Sequence, residues 1–295
     1  MIATERLYYT RPELDRAEAR VLALEGSVEA PVLVLDRTIF YPEGGGQPCD
    51  LGKVGAATLA SVSLEGERIL HHLAGPLAGL AVGASVALEL DAGRRRDHAE
   101  QHSGQHLLSS VCLRLLGAET KSFHLGAERS TIDLGIAAMD EGDLTAVEAA
   151  VNEIIAEAYP IRIHVCPPGD LDSFPLRKRP PAGEEEIRVV EIDGIDYSPC
   201  CGTHLAGTGA LRLLKLLGAE KYKGMTRLAF VAGGRAFRDY AAAQRRCREA
   251  AKALGSSQED LAAEANRAAL RLKEALAAVE RLKTERALLE AERAL

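Results

Sequence analysis

The chain has no basic start followed by an apolar stretch. Met1-Ile-Ala-Thr-Glu-Arg6 carries none of the marks of a secretory leader, so a cytoplasmic location is the expectation. A membrane span is missing too. The one long uncharged stretch, 69–88, holds His71, His72, Pro76 and glycines at 75, 79 and 83, which break a helix and lower its hydropathy. Strand, loop and strand are expected there, and no membrane partner. Cysteine is sparse: six residues (49, 112, 166, 200, 201 and 247) in 295 do not make a disulfide framework. In a reducing compartment a cysteine near histidine reads instead as a metal ligand. Positive charge is not in excess either. With 36 Lys+Arg against 43 Asp+Glu, the net charge of −7 excludes a uniformly basic nucleic-acid binder and still allows a local basic face.

What is present suffices for a folded protein. Apolar residues make up 47% and charged residues 27%, which is neither disordered nor collagen-like. The length suggests two compact domains and an extension. Short β-rich runs at 20–24, 32–36, 39–41, 58–64, 68–73 and 85–90 predict a small β-barrel-like domain over 1–91. Helical spacing at 97–116, stopped by Gly117, and at 141–159, closed by Pro160, alternates with strand-like runs at 161–165 and 187–192. This predicts an α+β domain over 92–238, with a charged, Pro-containing loop at 177–186. Beyond about residue 235 the chain turns Ala-rich and helical, predicting a helical extension over 239–295. Gly255 ends one helix, and Ser257 with Asp260 resembles a capping box before the next. Leu261, Ala265, Ala268, Leu272, Ala275, Val279, Leu282, Arg286 and Leu289 alternate spacings of four and three, the seam of a coiled coil or helical hairpin. A homodimer through that seam is one expectation; a single amphipathic helix is the other. With no cap before Leu295, continuation of the helix is also expected.

Chemistry concentrates at two places. His98, His102 and His106 recur four apart on one helical face, so a pair can direct two imidazoles at one metal. Cys200 and His204, in Cys-Cys-Gly-Thr-His, repeat that spacing. A Cys/His3 set suits Zn2+ better than Mg2+ or Ca2+, which prefer oxygen. A zinc protease would need Glu where Ser103 stands. A closed structural zinc and a metal-free polar cleft are the competing readings. No Ser-His-Asp or Cys-His nucleophile pattern stands out.

At these residues the chain resembles the alanyl-tRNA editing proteins, free-standing relatives of the editing domain of alanyl-tRNA synthetase. The family pairs H-x-x-x-H with C-x-x-x-H, as His102/His106 and Cys200/His204 do here. The segments 35–48 (Gly-rich), 120–126 and 223–230 also fit, so the resemblance covers about 4–240. It implies zinc-dependent, ATP-independent hydrolysis in trans of the ester joining serine, and also glycine, to tRNA(Ala), with mischarged tRNA(Ala) as the partner. The alternatives are editing of Ser-tRNA(Thr) and a non-catalytic tRNA-binding module with structural zinc.

The resemblance also implies roles for single residues. His102, His106, Cys200 and His204 hold the metal, while Cys201, where relatives commonly carry Gly, and His98 are spectators. Gln105 and His124 fall where the family lines its pocket, and Thr38 at a family threonine linked to serine recognition. Gly44, Gly45, Gly46 and Gln47 bring backbone close to the substrate. The plainer readings are a helix-surface amide, a solvated strand residue, a β-former and a tight turn. Over 209–248, ten basic residues face two acidic ones, and Lys221, Lys223 and Arg227 are expected to contact tRNA phosphates. A solvated helix face is the plain reading of that run. The Gly-rich C-terminal domain of longer relatives is not in this sequence.

Overall fold

The computed structural model describes residues 3–75, 81–180 and 186–293. Part of the expected loop after 68–73, the centre of the 177–186 loop and the continuation at Leu295 lie outside the described residues. The chain divides into two compact units, Met1–Ala236 and Phe237–Leu295. The fold is mixed α+β with several sheets rather than one closed barrel, and no helix among the described residues is long and apolar enough to cross a membrane.

The first unit opens with β1 (Glu5–Arg6), α1 (Leu7–Thr10), β2 (Arg16–Gly26), β3 (Pro31–Leu35), β4 (Arg37–Thr38), β5 (Gly52–Val54), β6 (Ala57–Glu65), β7 (Arg68–Ala74) and β8 (Ser85–Leu90). Six of these pair antiparallel in the cyclic order β2-β3-β7-β6-β5-β8, so one sheet closes on itself. Strict alternation drives it. Val86, Leu88 and Leu90 of β8 and Ile69, His71 and Leu73 of β7 point inward, where Leu33, Leu35, Phe40 and Leu59 join them. Register shifts at Val21/Ala23 and Leu59/Ser61 supply the local bends that a small ring needs.

Residues 39–41, expected as a strand, are a buried non-strand segment. Thr38 Oγ1 accepts from the Phe40 N–H (3.1 Å) and Asp50 Oδ2 from the Tyr41 N–H (2.7 Å), so side chains replace ladder partners. β2 begins at Arg16, earlier than expected, because Arg16, Glu18 and Arg20 alternate with the inward Ala17, Ala19 and Val21.

There follow α2 (Ala92–Leu116), β9 (Thr120–Leu125), β10 (Ser130–Leu134), α3 (Glu141–Glu157), β11 (Ile161–Cys166), β12 (Ile187–Ile192), β13 (Asp196–Pro199), β14 (Leu214–Tyr222) and β15 (Met225–Ala232). They form a four-stranded sheet, β14-β15-β10-β9, and a three-stranded sheet, β11-β12-β13. Asp91 caps α2 by accepting from the Arg94 N–H (2.9 Å), and Gly117, at φ 62°, ends it. Leu107, Leu108 and Val111 pack with Ile132, Leu134, Leu228 and Phe230 in the core of this half.

Earlier in α2 most of the buried side chains are polar, and several are fastened to other elements. Arg95 pairs with Asp50 of the ring half and donates to the Ile39 carbonyl (2.7 Å). Gln101 exchanges two 2.9 Å bonds with the Ala232 backbone. These ties set the depth and rotation of the helix that carries the histidines.

In the second unit, α4 (Gly234–Leu254), which starts at the end of the first, is followed by α5 (Leu261–Arg293). Gly255 at φ 65° ends α4 as expected. The Ser257–Asp260 pair forms, with the Asp260 N–H donating to Ser257 Oγ (3.1 Å), but α5 starts after it, so the pair closes the preceding turn. No described residue of α5 is buried, and Leu272, Val279, Leu282 and Leu289 of the expected seam are exposed.

Candidate metal centre

His102 and His106 lie one turn apart on α2, and Cys200 and His204 on the loop leaving β13. The ligand atoms of all four fall within 4.8 Å of one another. Cys200 Sγ is 3.3 Å from the Nε2 of both His102 and His204, and the three imidazole centroids are 4.6–5.4 Å apart. A tetrahedral N/S site with bonds of about 2.0–2.3 Å has edges of roughly 3.3–3.7 Å, so these separations fit a shared metal ion.

Each imidazole is held from behind through Nδ1. His102 Nδ1 meets Gln47 Oε1 at 2.8 Å, His106 Nδ1 meets Asp196 Oδ2 at 3.2 Å, and His204 Nδ1 meets Ser103 Oγ at 3.3 Å. With Nδ1 so engaged, Nε2 is the nitrogen left for a metal. The backing groups are themselves fixed. Gln47 donates to Thr203 Oγ1 (2.9 Å) and accepts from the Thr203 N–H (3.1 Å), Arg177 Nε donates to Asp196 (2.7 Å), and Ser103 accepts from the Leu205 N–H (3.0 Å).

Ser103 thus stands where a protease would place its glutamate, and it serves the fourth ligand. Gly202 explains the motif between Cys200 and His204: a Cβ there would overlap the His102 ring. Arg188 of β12 completes the loop, its Nη1 donating to the carbonyls of Cys200 (2.8 Å) and Gly202 (2.9 Å).

Electrostatics suit metal ligation. Burial, followed by Arg188 and Lys178, pushes the His102 imidazole down to about 3, and burial with the neighbouring imidazoles holds His204 well below its ordinary value. Burial by itself raises the Cys200 thiol. The His106 ring, the Gly202 N–H and Arg188 outweigh it, and the thiol sits below its ordinary value. Neutral imidazoles and an acidified thiol are the forms that bind metal.

A cavity of about 290 Å3 opens over the cluster, with Gln105, Gly45, Thr120, Phe123, Cys201 and the cations Lys121, Lys178 and Arg188 in its wall. Gln105 Nε2 donates to Ser109 Oγ (2.8 Å), which also accepts from Thr120 (2.7 Å), so the carboxamide is oriented rather than lying on the helix surface. Gly45 and Gly46 adopt φ of 58° and 82°, and a side chain on Gly46 would meet the Phe123 carbonyl, so the turn packs closely on the Phe123 segment; of the four residues 44–47 expected at the substrate, Gly45 lines the cavity.

Other expected site residues lie elsewhere. Gln47 backs His102. His124 is exposed and lines a separate cleft with Arg129 and Arg227, while its neighbour Phe123 has its ring 5.2 Å from His102. Thr38 is fully buried in the ring half, 2.8 Å from His71 Nε2, and does not line the cavity. Arg227 is tied to Asp133 by two bonds of 2.7 and 2.9 Å and covers the Tyr222 ring at 3.4 Å. Lys223, at φ 50°, occupies the turn between β14 and β15, and Lys221 stands opposite Thr226 on β14. Arg212, Lys215 and Arg235 pair with Glu100, Glu148 and Asp97, so much of the basic run is internally compensated. His98 is buried and outside the cluster, as expected. Phe123, Arg177, Lys178, Arg188, Asp196 and Gly202 were not anticipated. Only Gly202, inside the ligand motif, carried any sequence signal.

Residues 187–229 match the family described as the threonyl and alanyl tRNA synthetase second additional domain. The alanyl-tRNA editing protein Aarsd1 of Danio rerio is 38% identical over 204 residues, 68% of this chain and 49% of its own length. The alanyl-tRNA editing protein AlaX-L of Pyrococcus horikoshii is 32% identical over 244 residues, 79% of this chain and 59% of its own. An alanine–tRNA ligase of Korarchaeum cryptofilum is 31% identical over 269 residues, 88% of this chain and 29% of its own. The chain spans about half the length of the curated editing proteins it matches.

Proposed function

The chain is a homologue of the alanyl-tRNA editing proteins, and on that premise we propose that it hydrolyses, in trans and without ATP, the ester joining serine or glycine to tRNA(Ala). His102, His106, Cys200 and His204 hold Zn2+, which the three-nitrogen, one-sulfur donor set favours. A zinc ion so held would supply positive charge able to polarise an ester carbonyl. The chain's own groups do the rest. Gln47, Asp196 and Ser103 keep the imidazoles aimed, Gln105 offers an oriented amide to the aminoacyl group, and the cavity wall limits the water that reaches the ester. The α5 leucines support self-association of two copies through that helix.

The observation that carries the reading is the convergence of four ligand atoms beneath a cavity that has cations in its wall. The test is deacylation of Ser-, Gly- and Ala-tRNA(Ala), with Ser-tRNA(Thr) alongside, by the full chain before and after chelation. Loss of serine and glycine with alanine retained, abolished by chelation, is the expected result. Preference for Ser-tRNA(Thr) would move the substrate to the threonine branch. RNA binding without hydrolysis of any ester would leave a binding module with structural zinc.

A further inference from the structure

Arg188 is a buried cation with no carboxylate partner among the described residues. It is 8% exposed, its Nη1 is spent on the Cys200 and Gly202 carbonyls, and its guanidinium carbon lies 4.9 Å from the Tyr9 ring centroid. Its Nε is buried with no hydrogen-bond partner, Nη2 has none among the described residues, and the side chain forms part of the cavity wall. A charge held in the interior without a carboxylate partner is costly, and the one anionic group beside it, the Cys200 thiolate, is shared with the metal in the loaded site. The other two buried arginines among the described residues have a carboxylate partner, Arg95 with Asp50 and Arg235 with Asp97, as does the half-buried Arg177 with Asp196. Three further cations share the wall: Arg177, already paired with Asp196, Lys178, and Lys121, the last in a surface pair with Glu119. No carboxylate among the described residues lines the cavity. Its charge therefore calls for an anion brought by the ligand.

We propose that Arg188, Lys178 and Lys121 form a subsite for the phosphodiester that precedes the last nucleotide of the RNA. The inference rests on the aminoacyl-tRNA reading, because that phosphodiester is the anion nearest the ester in such a substrate. It also moves the phosphate contact from the β14–β15 hairpin, where Arg227 is already paired, to the mouth of the metal cavity. Arg188 donates the charge-assisted bond from inside, and the lysines supply mobile charge at the rim.

The test uses the full, metal-loaded chain and an uncharged RNA hairpin ending in CCA, with either a native or a neutral methylphosphonate linkage before the last nucleotide. Affinity is read by fluorescence anisotropy across a salt series. The native linkage is expected to bind about tenfold more tightly, as for a charged hydrogen bond. Changing Lys121→Ala with Lys178→Ala should remove most of that preference and lower the salt slope by about 0.7 per lost contact on single-stranded RNA. Arg188→Lys should do likewise, with metal content measured alongside because Arg188 also holds the ligand loop.

Equal affinity for the two probes on the unaltered chain overturns the proposal, as does a preference that survives in both variants. Slower turnover with the preference intact would assign these cations to the reacting carbonyl and overturn it too. If the preference holds while no aminoacyl ester is hydrolysed, the subsite stands and the catalytic reading falls. Deacylation without the preference gives the reverse.

Discussion

Gly202→Ala is the sharpest single perturbation of the metal centre, because its effect is purely steric. Unlike Gly45 and Gly46, Gly202 does not occupy the left-handed region, so alanine meets no backbone penalty. The added Cβ would instead lie 2.1 Å from His102 Cε1, 2.2 Å from Nδ1 and 3.0 Å from Gln47 Oε1. An ordinary contact is about 3.5–4.0 Å between carbon atoms, so either the ring or the loop must give by more than about 1 Å. The ring is not a free end: Gln47 holds Nδ1, and Phe123 lies against it. If it turns, the bond to Gln47 breaks and Nε2 leaves the cluster. If the loop retreats, the bonds from Arg188 to the Cys200 and Gly202 carbonyls stretch, and Cys200 moves with them. Overpacking of this kind costs about 1–3 kcal/mol, and disturbing the groups behind a ligand typically lowers metal affinity about 10–100-fold. Competition with a chromophoric chelator, with circular dichroism to confirm folding, measures both quantities. A folded Gly202→Ala protein that retains one metal ion at unaltered affinity would refute the steric argument and the placement of His102 as a ligand.

Gln47→Ala removes the acceptor behind His102 Nδ1, and the same competition assay should show metal binding about 10–100-fold weaker, with RNA affinity unchanged. Arg227→Ala strands the Asp133 carboxylate, held below its ordinary range chiefly by the Arg227 hydrogen bond, and should cost about 1–2 kcal/mol by urea denaturation, while the salt dependence of RNA binding stays as it was. Burial pushes the His71 imidazole down to about 4 from an unfolded value near 6.5, so the unfolded chain binds the extra proton between those limits. Stability from this group is complete above about pH 6.5 and declines as pH falls toward 4, by up to about 3 kcal/mol. Denaturation midpoints at pH 7 and 5 should converge in His71→Gln, and an unaltered pH slope in that variant would refute the assignment.

Local spacing made His102 and His106 legible, because residues four apart on a helix share a face whatever the rest of the chain does, whereas Cys200 and His204, on a loop, were legible only as a repeat of that spacing with metal-binding donors. Gly117 and Gly255 were legible for a similar reason, since a left-handed stop is a property of one residue. The ring strands were readable where one face is buried and the other wet, as in β8, and unreadable at 39–41, where side chains stand in for a ladder. His124 and Phe123 mark the limit of period-two patterns. The alternation says that neighbours face opposite ways, and only packing against α2 decides which of them meets the site.

The sequence by itself determined the chemistry offered: two ligand pairs of soft and borderline donors, a glycine-rich turn, and an overall acidic chain with clustered cations. Tertiary structure decided how those offers were used. Gln47, expected at the substrate, stands behind a histidine 55 positions away, Arg227 and Arg235 are claimed by Asp133 and Asp97, and Arg188, hidden in a strand-like run, has no such claimant. A motif records donors and their local spacing. Whether a buried amide or guanidinium is satisfied depends on groups distant in sequence, and only the folded chain brings them within hydrogen-bond reach.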